Sequence, residues 1–167
     1  KIINMSFGDK TYSKVLRDVI KYAYSKGVVL VSSAGNSSSS DPHFPSGFDE
    51  VICVGASDKN DNIASFSNTG SSIDIVAPGV SVLTTDLDGK YSNKNGTSFS
   101  APYVSSAAAL ILSKNNFNNQ EIKQILKSTS DDISTSGWDE KSGAGRLNVL
   151  RALNVSAASA IKFNFPQ

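Results

Sequence analysis

The chain has 167 residues, 39% hydrophobic and 19% charged, which is the size and composition of one globular domain able to bury a core. Its net charge is +1 and its lysines and arginines form no long run, so the clustered positive charge that binds nucleic acid or an anionic membrane is missing. No stretch approaches the roughly 18 apolar residues needed to span a bilayer. The single Cys53 excludes an internal disulfide, and its apolar neighbours predict a buried thiol without a nucleophilic role.

Apolar runs typical of buried strands alternate with stretches of helical spacing, which predicts an α/β fold with a mostly parallel sheet flanked by helices. The first strand is expected at "KIINMSF", the helix after it ends at Gly27, and a second strand follows at "VVLVSSAG". A serine-rich loop then leads to the strands "VICVGAS" and "IDIVAPG". The segment "VSVLTTDLDGKYSN" predicts a hairpin that turns at Asp88 and Gly89.

The rest of the chain is predicted to be mainly helical. One helix is expected over residues 98–114, where a run of small side chains favours close packing in the centre of the fold. A second is expected over about residues 119–128, capped by Asn118 or Asn119, and "NVLRALN" predicts a last short helix.

The stretch "NGTSFSAP" places Ser98 where a loop ends and a helix begins. Unpaired backbone N–H groups and the positive end of the helix dipole meet there, so an oxyanion would be favoured. Pro102 lacks an N–H and leaves the carbonyl of Ser98 without its helical donor, which distorts the first turn. Taken alone, a Gly-Thr-Ser at a helix start is more often a simple cap.

A second segment, "SSAGN", ends a buried strand at Gly35 and brings the amide of Asn36 to the edge of the sheet where α/β proteins usually place their sites. A side-chain amide is a good donor to an oxyanion. Taken alone, an Asn that follows a Gly is a turn residue. The two segments together therefore carry more weight than either does by itself.

Five segments stand in the order, and at about the spacing, seen in the subtilisin-like serine proteases. They are "NMSFG", "SSAGN", "ASFSNTG", "VAPGV" and "NGTSFSAPYVSSAAALIL". The chain resembles the C-terminal half of a subtilase catalytic domain, and the similarity runs from Lys1 to about Ala152. We accordingly assign residues 1–155 to part of a peptidase domain and residues 156–167 to a tail or the start of a further segment.

The resemblance gives roles to three residues around the predicted helix start. It implies that Ser98 is the nucleophile that becomes acylated. Asn36 would stabilise the tetrahedral oxyanion together with the N–H of Ser98, and Thr97 would support the same oxyanion hole. These roles predict a serine endopeptidase that works through an acyl-enzyme.

The resemblance also predicts where a peptide substrate binds. The residues concerned are Ser6, Phe7, Gly8, Ser33, Ala34 and Gly35. The first three are similar to the family's strand whose backbone pairs with an extended peptide, and the last three match the walls of the pocket for the side chain before the scissile bond.

His43 is expected near the floor or rim of that pocket, because its spacing from Phe44-Pro45 resembles the family's loop. A partly charged imidazole there would favour an acidic or polar substrate side chain. The alternative is a solvent-facing loop histidine.

The family's catalytic Asp and His both precede the strand with which this chain opens, and neither occurs here. His43, the single histidine, follows Asn36 and is not followed by the family's Gly-Thr. We therefore expect the isolated chain to be inactive and to need the upstream half of the same catalytic domain as its partner. An unpaired edge at "KIINMSF" would also favour self-association.

The resemblance implies no cofactor for the chemistry and no metal among the catalytic residues. A structural calcium ion bound by the loop carbonyls of residues 46–51 remains an option, whereas the paired acids at 86, 88, 131 and 132 are interpreted as solvated turn residues. A secreted location follows from family analogy alone.

Two alternatives remain for the function. A pseudoprotease or peptide-binding module would keep the same fold and groove, and it would lack the upstream Asp and His. A nucleotide-binding domain would place a phosphate at the helix start, but the chain has neither a G-x-G-x-x-G nor a Walker sequence.

Overall fold

The computed structural model describes residues 1–156, so the predicted tail lies outside the described residues except for Ser156. Within them, four parallel strands form a sheet in the order β1-β2-β3-β4. The strands are β1 Ile2–Met5, β2 Val29–Ser33, β3 Val51–Ser57 and β4 Ile75–Pro78. The predicted α/β class with a parallel sheet is confirmed.

The two central strands are buried along their whole length, since all residues of β2 and β3 are buried. Alternate side chains point to opposite faces of a sheet, so Val29 and Val31 belong to one core cluster and Leu30 to another. A helix layer covers each face, which explains the nearly continuous apolar runs in these strands.

The helices are close to the predicted ones. Their bounds are α1 Lys14–Ser25, α2 Thr97–Lys114, α3 Asn119–Ser128 and α4 Val149–Leu153. α1 covers the face that carries Leu30, whereas α2 and α3 cover the face that carries Val31. Gly27 follows α1 with φ +73°, a conformation that glycine adopts without strain, and this explains why the helix stops before it.

The predicted hairpin is present as β5 Val82–Thr85 paired with β6 Tyr91–Lys94. It leaves the sheet after β4 and returns to it, because the N–H of Gly96 donates to the carbonyl of Gly79 at 2.8 Å. The hairpin therefore delivers the start of α2 to the carboxyl edge of the sheet. The segments that follow β1 and β2 lie at the same edge.

The first strand is an edge of the sheet, since β1 pairs with β2 alone among the described strands. Beside it, α1 exposes apolar side chains along one face, with Val15 75%, Val19 57% and Tyr22 66% exposed. Among the described residues, no strand pairs with the outer edge of β1, and these apolar side chains of α1 stay exposed. Within the part of the chain that the structure describes, no helix combines the length and hydropathy needed to cross a bilayer.

Candidate active site

The start of α2 is fixed by Gly96, which has φ +149° and ψ 150° and precedes the first helical residue. A side chain is strained in this conformation, so a glycine is needed. Ser98 is the second residue of the helix and is partly exposed. Its N–H belongs to the first turn, where no helical carbonyl precedes it to accept a hydrogen bond.

Asn36 is joined to this turn by two hydrogen bonds. Its Oδ1 accepts from the backbone N–H of Thr97 at 2.8 Å and from Oγ1 of Thr97 at 2.9 Å. A backbone N–H only donates, so the atom that faces it must be the amide oxygen, and this fixes the orientation of the amide. The Nδ2 donor then lies beside Gly96, where a Cβ atom would be 3.5 Å from it. The arrangement leaves an amide donor next to the helix start.

Thr97 also joins the end of β2 to the helix. It is fully buried, and its Oγ1 accepts from the N–H of Gly35 at 3.1 Å while donating to Asn36. The hydroxyl therefore uses both its donor and an acceptor position. The structure thus brings Asn36 to Thr97 and Ser98, both of which lie 61 or more positions after it in the sequence.

Ser98 and Ser6 are bonded to each other in both directions. Oγ of Ser98 donates to the carbonyl of Ser6 at 3.3 Å, and Oγ of Ser6 donates to the carbonyl of Ser98 at 2.8 Å. The sequence predicts that Pro102 leaves the Ser98 carbonyl without its helical donor, and in the structure a hydroxyl from the segment after β1 takes that place. The nucleophile candidate has no imidazole as its acceptor, since the ring of His43 lies against Ser46.

The predicted substrate segments lie at the same edge of the sheet. Phe7 is 61% exposed and Gly8 is exposed, whereas Ser33, Ala34 and Gly35 are buried. The backbone of Asp9 exchanges two hydrogen bonds with that of Phe44, at 2.9 and 2.7 Å. The segment after β1 and the loop that carries His43 are therefore held side by side.

His43 lies between Gly8 of the predicted substrate strand and Gly35 of the predicted pocket wall. A Cβ atom on Gly8 would collide with Cε1 of the imidazole, and one on Gly35 would lie 3.1 Å from its Cδ2. Burial lowers the pKa of His43 below its ordinary value, and the carboxylate of Asp9 opposes part of the shift. The lowered pKa favours the neutral form of the ring.

Asn68 supports the site in a way that the sequence does not predict, although it lies in "ASFSNTG", one of the five segments that carry the family resemblance. The side chain is buried, and its Nδ2 donates to the carbonyl of Ala34 at 2.9 Å. Its Oδ1 accepts from the N–H of Ser37 at 2.9 Å and of Ser39 at 3.2 Å. Asn68 therefore holds the chain on both sides of Asn36.

The loop considered for calcium already binds a cation of the chain itself. Nζ of Lys123 donates to the carbonyl of Asp49 at 3.0 Å and to that of Val51 at 2.9 Å. The same ammonium pairs with Asp74 at 2.8 Å. Among residues 1–156, no three His, Cys, Asp or Glu side chains are grouped so as to hold a metal ion.

The predicted burial of Cys53 is confirmed. The side chain is 1% exposed in β3, and burial raises the pKa of its thiol to about 12. A thiol with this pKa carries almost no thiolate at neutral pH, and the thiolate is the reactive form. Cys53 is therefore part of the core.

Comparison with known proteins agrees with this geometry. A family model described as "Subtilase family" matches residues 1–145. Subtilisin DY of Bacillus licheniformis is 41% identical over 156 residues, which cover 90% of this chain and 56% of that protein. A thermophilic serine proteinase of Bacillus sp. (strain AK1) is 40% identical over 153 residues, which cover 92% of this chain and 37% of that protein.

Solved structures show the same similarity. The prenylagaramide maturation protease PagA superposes with a TM-score of 0.82 at 30% identity, over 91% of this chain and 60% of that one. A lanthipeptide protease gives a TM-score of 0.82 at 28% identity, again over 91% and 60%. The chain thus spans about half the length of several of the relatives it matches.

Proposed function

We propose, since this chain belongs to the subtilase family, that the protein of which it forms part is a serine endopeptidase that cleaves peptide bonds through an acyl-enzyme. The observation that supports this best is the pair of hydrogen bonds from Thr97 to Asn36, which leaves the amide donor of Asn36 beside the turn that carries Ser98. An oxyanion hole needs donors that are held in place before the reaction starts.

Each residue then has a chemical role. Oγ of Ser98 attacks the substrate carbonyl, and a base from the upstream half of the domain takes its proton. The backbone N–H of Ser98 and Nδ2 of Asn36 hold the negative charge of the tetrahedral intermediate. A water molecule, activated by the same base, then attacks the acyl-enzyme and releases Ser98. Members of the subtilase family need no cofactor for catalysis, so the chemistry requires only these groups.

The isolated chain is expected to be inactive. His43 is the single histidine of the 167 residues, and its ring contacts Ser46 instead of Ser98. In subtilisin, itself a member of this family, removal of the catalytic His lowers kcat by a factor on the order of 10⁶. The general base must therefore come from the upstream half of the domain.

The same half would cover the unpartnered side of the sheet. The free edge of β1 offers backbone hydrogen bonds to a further strand, and Ile3 on β1 and Val15 and Val19 on α1 are exposed. Covering these groups would remove apolar surface from water. The isolated chain is then expected to self-associate, and a stable monomer in analytical ultracentrifugation would count against this proposal.

The substrate would bind as an extended peptide beside residues 6–8, through main-chain pairing. The side chain before the scissile bond would enter between this segment and residues 33–35. The imidazole of His43 stands between Gly8 and Gly35, so the space left for that side chain is small. Because the ring is mainly neutral, it would select by size, and small side chains would be preferred.

Substitution of His43 tests this preference in the full-length protein. The variant His43→Gly should raise kcat/KM for a Phe peptide relative to an Ala peptide by roughly 10- to 200-fold, the range that one or a few buried methylene groups provide. The matched variant His43→Gln keeps most of the volume and should keep the preference. An unchanged ratio in His43→Gly would show that the ring does not limit the pocket.

A structural calcium ion in the loop of residues 46–51 has weaker support. The ammonium of Lys123 occupies the carbonyls of Asp49 and Val51, and a second cation beside it would be repelled. A secreted location is likewise supported by analogy with the relatives alone.

A fluorophosphonate probe tests the proposed function directly. It should label the full-length protein at Ser98, label the isolated chain far more slowly, and leave Ser98→Ala unlabelled. Mass spectrometry of the labelled peptide identifies the residue. Full-length protein that binds peptide but is neither labelled nor active would instead be a pseudoprotease or a peptide-binding module.

A further inference from the structure

The helix that carries Ser98 has a gap in its hydrogen bonding at the residue itself. In an α-helix the N–H of residue i+4 donates to the carbonyl of residue i. Pro102 is inside α2 and is the residue four positions after Ser98, and proline has no N–H. The carbonyl of Ser98 therefore needs its donor from elsewhere, because an unpaired carbonyl is costly where water is partly excluded.

Ser6 supplies that donor from the segment after β1. Its Oγ lies 2.8 Å from the carbonyl oxygen of Ser98, across 92 positions of sequence. The bond joins the nucleophile's backbone to the segment along which we propose that the substrate pairs. The carbonyl of Ser98 thus accepts a hydrogen bond from the segment after β1 in place of one from within the helix.

Two further side chains orient the hydroxyl of Ser6. Nδ2 of Asn4 donates to Oγ of Ser6 at 2.9 Å, and Oγ of Ser105 donates to Oδ1 of Asn4 at 2.9 Å. Because Asn4 occupies an acceptor position of the Ser6 hydroxyl, its hydrogen is free to point at Ser98. Ser105 lies on α2 as well, so the chain of bonds leaves the helix, crosses β1 and returns to the helix.

We propose that Ser6 is a positioning residue for Ser98, and that Asn4 and Ser105 hold it in that role. The pair Pro102 and Ser6 fixes the distance between the nucleophile and the substrate strand, which a purely helical bond would not do. Loss of this contact would let the first turn of α2 shift, and a misplacement of about 1 Å can lower a rate by about 10²-fold. The inference rests on the proposed peptidase activity.

A double-mutant cycle in the full-length protein tests the coupling between these two residues. The variants are Ser6→Ala, Pro102→Ala and the two together, with kcat and KM measured on one peptide substrate. Ser6→Ala should lower kcat by roughly 10- to 100-fold with little change in KM, because the substrate pairs with main-chain atoms. In the Pro102→Ala background the new N–H can bond the Ser98 carbonyl, so the same substitution should cost clearly less.

Two further variants serve as controls. Ser6→Thr keeps the hydroxyl and should retain most of the activity. Ser113→Ala removes a similar bond, from a serine hydroxyl to the carbonyl of Leu110 at the far end of α2, and should leave kcat unchanged. Thermal unfolding of each variant shows whether it is folded at the assay temperature.

The outcomes separate this inference from the proposed function. An equal loss of kcat from Ser6→Ala in both backgrounds, or an effect on KM alone, overturns the positioning role while the peptidase activity stands. Low activity in Ser6→Thr together with normal folding also overturns it. A full-length protein that neither cleaves peptide nor is labelled by a fluorophosphonate overturns the proposed function and this inference with it.

Discussion

The N-termini of α2 and α3 differ in how their backbone N–H groups are satisfied. At α3, the side chain of Asn118 accepts from the N–H of Glu121 at 2.9 Å, and Glu121 accepts from the N–H of Asn118 at 2.7 Å. This capping box uses groups from the helix itself. At α2, Gly96 has no side chain to cap the helix, and Asn36 reaches the first turn from another segment.

The difference separates a helix start that serves stability from one that is available for chemistry. A capping box closes the first turn, so little of the positive end of the helix is left for a ligand. The first turn of α2 keeps the N–H of Ser98, and it adds the amide donor of Asn36 beside it. The comparison predicts that substitutions at α2 change activity and substitutions at α3 change stability.

Removal of the amide donor at the start of α2 should lower activity far more than any substitution at the start of α3. Asn36→Ala in the full-length protein should lower kcat by about 10² to 10³, the loss known for an oxyanion-hole donor in subtilisin, a relative within the same family. KM should change little, because the donor acts on charge that develops in the transition state. Steady-state kinetics on one peptide substrate measures both quantities.

The variant Asn36→Asp is the matched control for that substitution. It keeps an oxygen for the N–H and the hydroxyl of Thr97, so the loop should keep its place and the melting temperature should stay near that of the wild type. It replaces the NH₂ group by a second carboxylate oxygen, which repels an oxyanion. Activity close to that of the wild type in Asn36→Asp would contradict the donor role.

Local signals in the sequence allowed the helices to be predicted well. The prediction of α3 uses an Asn cap at 118 or 119 and the spacing of the apolar residues, all within a few positions, and the predicted start of α2 is off by one residue. The hairpin and Gly27 are likewise local features. These elements depend on neighbours in the chain, and one sequence contains that information.

The contacts that build the candidate site depend instead on tertiary packing. The bond from Ser6 to Ser98 spans 92 positions, and the one from Thr97 to Asn36 spans 61. Hydrophobic periodicity does not report which polar side chains meet across such distances. The family resemblance suggests only that His43 lies near the floor or rim of the pocket, whereas its position between Gly8 and Gly35 and the burial that lowers its pKa are seen only in the folded chain.

A smaller effect is expected when the support of the oxyanion donor is removed and the donor itself is kept. Thr97→Val deletes the hydroxyl bond to Asn36 and leaves the N–H of Gly35 without its acceptor. One neutral hydrogen bond corresponds to roughly a two- to tenfold change in kcat, and the orphaned N–H lowers the free energy of unfolding by about 1–3 kcal/mol. Thr97→Ser keeps both hydrogen bonds and should behave like the wild type. Kinetics and urea unfolding of the two variants therefore separate the contribution of the hydroxyl from that of the methyl group.

The smallest effect on activity is expected for Asn118→Ala at the start of α3, where a loss of stability without a loss of activity is predicted. Loss of the cap leaves the N–H of Glu121 unpaired and should lower the free energy of unfolding by about 1 kcal/mol. Asn118 takes no part in the contacts around Ser98 described above, so kcat should stay unchanged at a temperature where the protein is folded. Asn118→Ser keeps a side-chain acceptor and should recover most of the stability. A drop in kcat for Asn118→Ala below its melting transition would show that the two helix starts are coupled, and that a cap used for stability also holds the candidate site in place.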